Sequence, residues 1–102
     1  MIPLSLLVDE DLSGASTVEP LVFVGSEDHN MYALSAARGT VFWKFRTLGK
    51  IMSSATLSQD EETVYFGSND GKVYAVGVGN GQAFWTLQTE GAIVASPSVG
   101  TH

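Results

Sequence analysis

Two stretches of this chain carry one pattern, forty-two positions apart. Val22 to Trp43 reads VFVGSEDHNMYALSAARGTVFW, and Val64 to Trp85 reads VYFGSNDGKVYAVGVGNGQAFW. The agreement continues past the tryptophans, where Thr47, Gly49, Ile51 and Ser54 recur as Thr89, Gly91, Ile93 and Ser96. Of the 39 pairs from Val22/Val64 to Asp60/His102, 13 are identical at one constant offset without a gap. Unrelated sequences share far fewer. A repeat of this period means that one supersecondary unit has been copied, so the chain must fold as like units and their connections.

The unit reads as short strands. Pro3 to Val8 is a candidate strand that ends at Asp9, Glu10 and Asp11. Leu21 to Ser26 is a second, apolar without alternation and therefore expected to be buried on both faces. Met31 to Ser35 returns, Gly39 supplies a turn residue with positive φ, and Thr40 to Arg46 is an aromatic-rich fourth strand. The second copy offers Ile51 to Leu57, Thr63 to Ser68, Lys72 to Val76 and Gln82 to Gln88. Asn69-Asp70-Gly71 and Asn80-Gly81 are hairpin signals between apolar runs. Ala92 to Val99 is a last strand without outer partners. No stretch has helical periodicity of useful length.

Two-sided burial requires each sheet to be covered on both faces. Four-stranded antiparallel meanders stacked around an axis meet that requirement, as β-propeller blades do. The expected fold is therefore all-β: two four-stranded antiparallel β-propeller blades plus the first strand of a third. Residues 1–20 supply the first strand and loop, 21–50 the rest of the first blade, 51–91 the second blade, and 92–102 the first strand of a further one. Two blades alone leave two broad apolar faces, so self-association or a longer parent chain is expected to supply further blades. Three copies would make a six-bladed ring and four an eight-bladed one.

Composition narrows the function. The net charge is −6, and the five basic residues, Arg38, Lys44, Arg46, Lys50 and Lys72, are scattered. Nucleic acid is excluded as a partner, because its phosphates call for clustered cations. There is no cysteine, so disulfides, thiolate metal sites and cysteine nucleophiles are all ruled out. Ile2 to Val8 is a poor signal peptide, with no basic residue ahead of it, and no apolar run is long enough to span a bilayer. The compartment does not follow from the residues.

The arrangement GS-x-D-x-x-x-YA, then G-x-x-(F)W, T-x-G and I-x-(S)S resembles the pyrroloquinoline-quinone (PQQ) repeat. Its carriers are Gly25, Ser26, Asp28, Tyr32, Ala33, Gly39 and Trp43, and again Gly67, Ser68, Asp70, Tyr74, Ala75, Gly81 and Trp85. The resemblance covers Leu21 to Val99. It implies structural blade-docking residues at Ala33, Gly39, Trp43, Ala75, Gly81 and Trp85, with each tryptophan flat between neighbouring blades. Ser35 and Gly77 stand where the family has Asp, and Arg38 and Asn80 where it favours Thr, which implies weaker hydrogen bonding between blades. Proteins similar to this repeat include assembly factors and scaffolds, often of the cell envelope, and quinoprotein dehydrogenases that enclose the quinone and a calcium ion.

The expected function is a non-catalytic protein-binding or scaffolding segment, the alternative being a fragment of a PQQ-dependent quinoprotein oxidoreductase. No catalytic, cofactor-binding or metal residue is assigned. A quinone site needs hard oxygen ligands for calcium and, by the resemblance, adjacent cysteines, which this chain lacks. PQQ and calcium are expected only within a longer quinoprotein. The meander brings Glu27, Asp28, His29, Lys50, Asn69, Asp70 and Glu90 to one rim, where a rigid scaffold presents its binding loops. The competing reading gives Asp28 and Asp70 the bonding of their own turns and leaves His29 solvated. Asp60, Glu61 and Glu62, consecutive in a turn, point apart into solvent and do not form a glycosidase-type pair.

Overall fold

The computed structural model describes residues 20–101. This part of the chain is all-β and forms two antiparallel sheets. Sheet 1 contains β1 (Leu21–Gly25), β2 (Asn30–Ser35) and β3 (Val41–Arg46) in that order. Sheet 2 contains β4 (Thr56–Leu57), β5 (Thr63–Gly67), β6 (Lys72–Gly77) and β7 (Ala83–Gln88). Both are meanders in which each strand pairs with the next along the chain. The strand expected at Pro3–Val8 lies outside the described residues.

The sequence repeat is also a repeat of register. Phe23 faces Ala33 and Ala33 faces Trp43, as Tyr65 faces Ala75 and Ala75 faces Trp85. The bulge between Ala33 and Leu34 recurs between Ala75 and Val76. Bonds outside the ladders repeat as well. The Ile51 N–H donates to the Ser26 carbonyl at 3.2 Å, and the Ile93 N–H to the Ser68 carbonyl at 3.1 Å. One residue pattern has thus closed one set of hydrogen bonds twice, as backbone groups held away from water require.

The core lies between the sheets. One face of sheet 1, carrying Phe23, Met31, Trp43 and Phe45, meets the face of sheet 2 that carries Val64, Phe66, Tyr74 and Val76. Phe45 stands edge-on to both Phe66 and Tyr74, with ring centroids 6.1 and 5.4 Å away. Ile51 closes the cluster by lying on Gly25, where an added Cβ would come 2.4 Å from its Cγ2. Burying a side chain such as Phe66 contributes about 2–3 kcal/mol, and this one shared layer gathers most of the large buried side chains.

Three expectations are corrected. The strands are not covered on both faces: β1 alternates between half-buried and exposed residues, and β7 is exposed throughout. Among the described residues two sheets make one interface, so each keeps an open face. The strand expected over Ile51–Leu57 shrinks to Thr56–Leu57. Before it, side-chain bonds replace the ladder, since Ser53 Oγ donates to the Gly67 carbonyl and accepts from the Gly67 N–H. The segment Ala92–Val99 carries no strand. Pro97 has no N–H to give to a ladder, and the segment is held by the Ser54 N–H on Ser96 Oγ at 2.9 Å and by Thr56 Oγ1 on the Pro97 carbonyl.

Candidate functional site

Two places gather the residues that the sequence singles out: one end of the sheets, and the sheet faces around the tryptophans. At the end, the turn 26–29 joins β1 to β2, and Asp28 organises it. Its Oδ1 accepts from the Asn30 N–H at 3.0 Å and its Oδ2 from the Tyr32 hydroxyl. Asp70 repeats this with the Lys72 N–H at 2.9 Å and the Tyr74 hydroxyl. Asp70 does one thing more. Its Oδ2 accepts the Leu48 N–H at 3.1 Å, so the segment leaving sheet 1 is tied to a turn of sheet 2.

The same junction has further ties. The Asn69 N–H donates to the Lys50 carbonyl at 2.8 Å, and Ser68 Oγ lies 3.2 Å from both Thr47 Oγ1 and the Gly49 carbonyl. Thr47 in turn bonds the His29 carbonyl through its N–H and its hydroxyl. Lys50 Nζ stands 3.9 Å from Glu27 Oε1, an exposed pair worth little on its own. Glu27, Asp28, His29, Lys50, Asn69 and Asp70 are therefore neighbours along this end. Glu90 lies beside them in the segment that Thr89 ties to Gly71 through its N–H at 2.6 Å. His29 is half-buried, with φ at 81°, and its carbonyl serves the junction.

Electrostatics follow the bonding. The Tyr32 hydroxyl, then the Asn30 N–H, draw the Asp28 carboxyl down to about 2, and the same contact pushes Tyr32 up. At Asp70 burial works upward, but donation from Tyr74, Leu48 and Lys72 outweighs it and the carboxyl is lowered. Tyr74 is raised well above its ordinary range by burial and by Asp70. These carboxylates are held ionised by donors, which suits architecture better than proton transfer near neutrality.

At the sheet faces, Trp43 leaves sheet 1 and lies on the β6–β7 turn of sheet 2. Its Nε1 donates to the Val78 carbonyl at 2.8 Å. Gly81, at φ 69°, has no room for a side chain, because a Cβ there would stand 2.7 Å from the indole. Gly39 has the same conformation at φ 72° and nothing within 4 Å. Trp85 repeats Trp43 within its own sheet, since the Tyr65–Trp85 centroid distance is 6.1 Å and that of Phe23–Trp43 is 6.0 Å. Among the described residues Trp85 meets no turn beyond its sheet, and it is 48% exposed. Where the repeat has changed, the turns have adapted. Ser35 Oγ caps its turn by accepting the Arg38 N–H, and at Gly77 the space is filled by Asn80.

Some of this was not singled out from the sequence. Tyr32 and Tyr74, four residues after their aspartates in both copies, carry the resemblance, but the bond from each phenol to its aspartate is read only from the structure. The Asp70–Leu48 tie joins residues twenty-two apart and left none. At the end of sheet 2 opposite the junction, an open groove of about 370 Å³ runs between Glu61, Glu62, Val78, Asn80 and Phe84. Asp60, Glu61 and Glu62 are all exposed there, and Asp60 is lowered by the Ser58 hydroxyl and the Glu62 N–H that it accepts. Among the described residues no group of three His, Cys, Asp or Glu side chains could hold a metal ion, and no helix is long and apolar enough to cross a membrane.

A family model described as outer membrane protein assembly factor BamB matches residues 7–100. The chain belongs to this family. Among solved structures, the crystal structure of BamB from Moraxella catarrhalis is similar at a TM-score of 0.59 and 26% identity, over 67% of this chain and 20% of that one. A europium-containing methanol dehydrogenase matches at a TM-score of 0.61 and 18% identity, over 66% of this chain and 12% of that one. The second likeness is one of fold. This chain thus spans a fifth or less of the length of either structure. No curated protein matches it in sequence. Membership of a family described as an assembly factor leans against an enzyme.

Proposed function

We propose that this chain is a non-catalytic PQQ-repeat β-propeller segment that serves as a protein-binding or scaffolding module, of the kind its family's description as an assembly factor suggests. The observation that carries the reading is the family match over residues 7–100, together with carboxylates committed to turns and junctions. In this reading the two sheets act as blades. Ala33, Gly39, Trp43, Ala75, Gly81 and Trp85 are their docking positions, and Trp43 on Gly81 is the contact that supports this role. Glu27, Asp28, His29, Lys50, Asn69, Asp70 and Glu90 form the binding rim, a row of polar loops fixed by the junction bonds.

The described residues do not fit PQQ and calcium. A calcium ion takes six to eight oxygen ligands, and the described carboxylates are dispersed or already engaged by donors. Binding of the quinone would require a larger quinoprotein around this segment.

The test pairs two titrations. Purified outer-membrane assembly components and unfolded outer-membrane protein are titrated onto the immobilised chain, and the variant Glu27→Lys/Glu90→Lys is compared. Saturable binding that the rim variant weakens by about tenfold is expected. Calorimetry with PQQ and calcium should give no heat of binding. Saturable quinone binding together with an inert rim would replace this reading by the quinoprotein one.

A further inference from the structure

The two open faces of this chain are the two halves of the interface it already contains. Sheet 1 meets sheet 2 through Trp43 and Phe45, and by the forty-two-residue offset their counterparts on sheet 2 are Trp85 and Leu87, both exposed. The receiving face of sheet 2 carries Val64 and Phe66, and its counterpart on sheet 1 carries Val22 and Val24, also exposed. The landing site for Trp43 is Gly81 with the Val78 carbonyl. Its counterpart is Gly39 with Ala36, and Gly39 has empty space beside it.

We propose that the outer face of sheet 2 in one copy of this chain docks on the outer face of sheet 1 in a second copy, repeating between molecules the contact made within one. This rests on the reading of the sheets as stacking units. Continuity fixes the details. Trp85 lies on Gly39 of the second copy and its Nε1 donates to that copy's Ala36 carbonyl. The Glu90 N–H donates to the second copy's Asp28 carboxylate, as Leu48 does to Asp70. The second copy's Glu27 N–H donates to the Ala92 carbonyl, as Asn69 does to Lys50. The two surfaces differ, so the contact is heterologous and propagates into a ring or a stack. Lys44 stands where sheet 2 has Thr86, an exposed strand position at the margin of the existing interface, so its charge stays in solvent.

The test uses two variants that each disable one surface. Trp85→Glu blocks the donor face at an exposed position. Gly39→Asn fills the landing site while keeping a residue that tolerates the left-handed region. Multi-angle light scattering after size exclusion, over the micromolar range, should show wild-type mass rising above 10.8 kDa with concentration. Each variant alone should run as a folded monomer, with the wild-type circular dichroism spectrum. An equimolar mixture should yield a dimer and nothing larger, because each variant retains the surface that the other lacks. If either variant loses its fold, Leu87→Lys and Gly39→Asp take their places. A wild-type chain that stays monomeric, as it would if residues 1–19 or further repeats of a longer polypeptide cover these faces, overturns the proposal. So do variants that associate like wild type, or a mixture without dimer. A wild-type chain that stays monomeric and still binds assembly components through the rim would sink the stacking while leaving the functional reading intact.

Discussion

The two sheets share register, bulges and turn chemistry, yet corresponding residues live in different surroundings. Val64 and Phe66 are 0% exposed, whereas Val22 and Val24, forty-two residues earlier, are 46% and 42% exposed. On the opposite faces the order reverses: Phe45 is packed among rings of the other sheet, and Leu87 is open to solvent. Local structure is written in the repeated pattern, because strand pairing and turns depend on residues a few positions apart. Burial depends on what stands opposite, and among the described residues each sheet has one neighbour. Equal residues at equal places should therefore contribute unequally to stability.

The largest inequality is expected in the receiving faces. Phe66→Ala should cost about 3–5 kcal/mol, since it removes a fully buried ring and leaves a cavity among Phe45, Tyr74 and Val64. That is a large part of the stability of a domain this size. Val24→Ala should stay within about 0.5 kcal/mol, because its methyls are already wet. Urea midpoints of the two variants at low protein concentration measure the difference. A Val24→Ala cost approaching that of Phe66→Ala would mean that the outer face of sheet 1 is covered in the monomer.

A second inequality concerns the two aspartates. Both bond their own turn, but only Asp70 also holds the segment leaving the other sheet. Asp70→Ala should cost about 1–2 kcal/mol at neutral pH, through the acceptor lost to Leu48, Lys72 and Tyr74, and Asp28→Ala should cost less. Acid should shrink this gap. Both carboxyls are lowered in the folded chain, Asp28 from 3.8 to about 2. The unfolded chain thus takes up protons first, so stability that is complete above about pH 5 is lost as pH falls toward 2. Wild type should lose more stability than Asp70→Ala between neutral pH and about pH 3, as seen in urea midpoints. Parallel pH profiles would show that the Asp70 carboxylate charge adds nothing.

How far the sequence reveals all this follows the range of each interaction. The hairpins at Gly39, Gly71 and Gly81 were legible because turn chemistry is local, and so was the pairing of the strands they join. The rim residues are gathered from topology alone, because a meander returns its turns and links to the same end, and their binding role is the proposal made above. The expectation of two-sided burial failed because an apolar strand such as Leu21–Gly25 announces an appetite for cover, not its presence. The strands at Ile51–Leu57 and Ala92–Val99 were over-read for a related reason. Their composition suits a strand, but Ser53, Ser96 and Pro97 divert the bonding to side chains and carbonyls.

The smallest expected inequality lies in a single turn position. His29 and Gly71 correspond, and both sit in the left-handed region, at φ 81° and 85°. A side chain with a Cβ is penalised there by about 1–2 kcal/mol, and histidine is among the residues that tolerate the region better than most. Glycine removes the clash but adds freedom to the unfolded chain, worth about 0.5–1 kcal/mol. The backbone role is indifferent to the side chain: the His29 N–H donates to Ser26, and the carbonyl accepts from Thr47. His29→Gly should therefore stabilise by about 0.5 kcal/mol, raising Tm by about 2–4 °C. The reverse change, Gly71→His, should lose more than that. A Cβ at Gly71 would stand 2.7 Å from Gln88 Nε2 and 3.2 Å from the Gly91 carbonyl, so crowding adds to the backbone penalty. Calorimetric melts of both variants decide the matter. If His29→Gly lowers Tm, the half-buried imidazole contributes packing that outweighs its backbone strain, and the two turns differ in more than conformation.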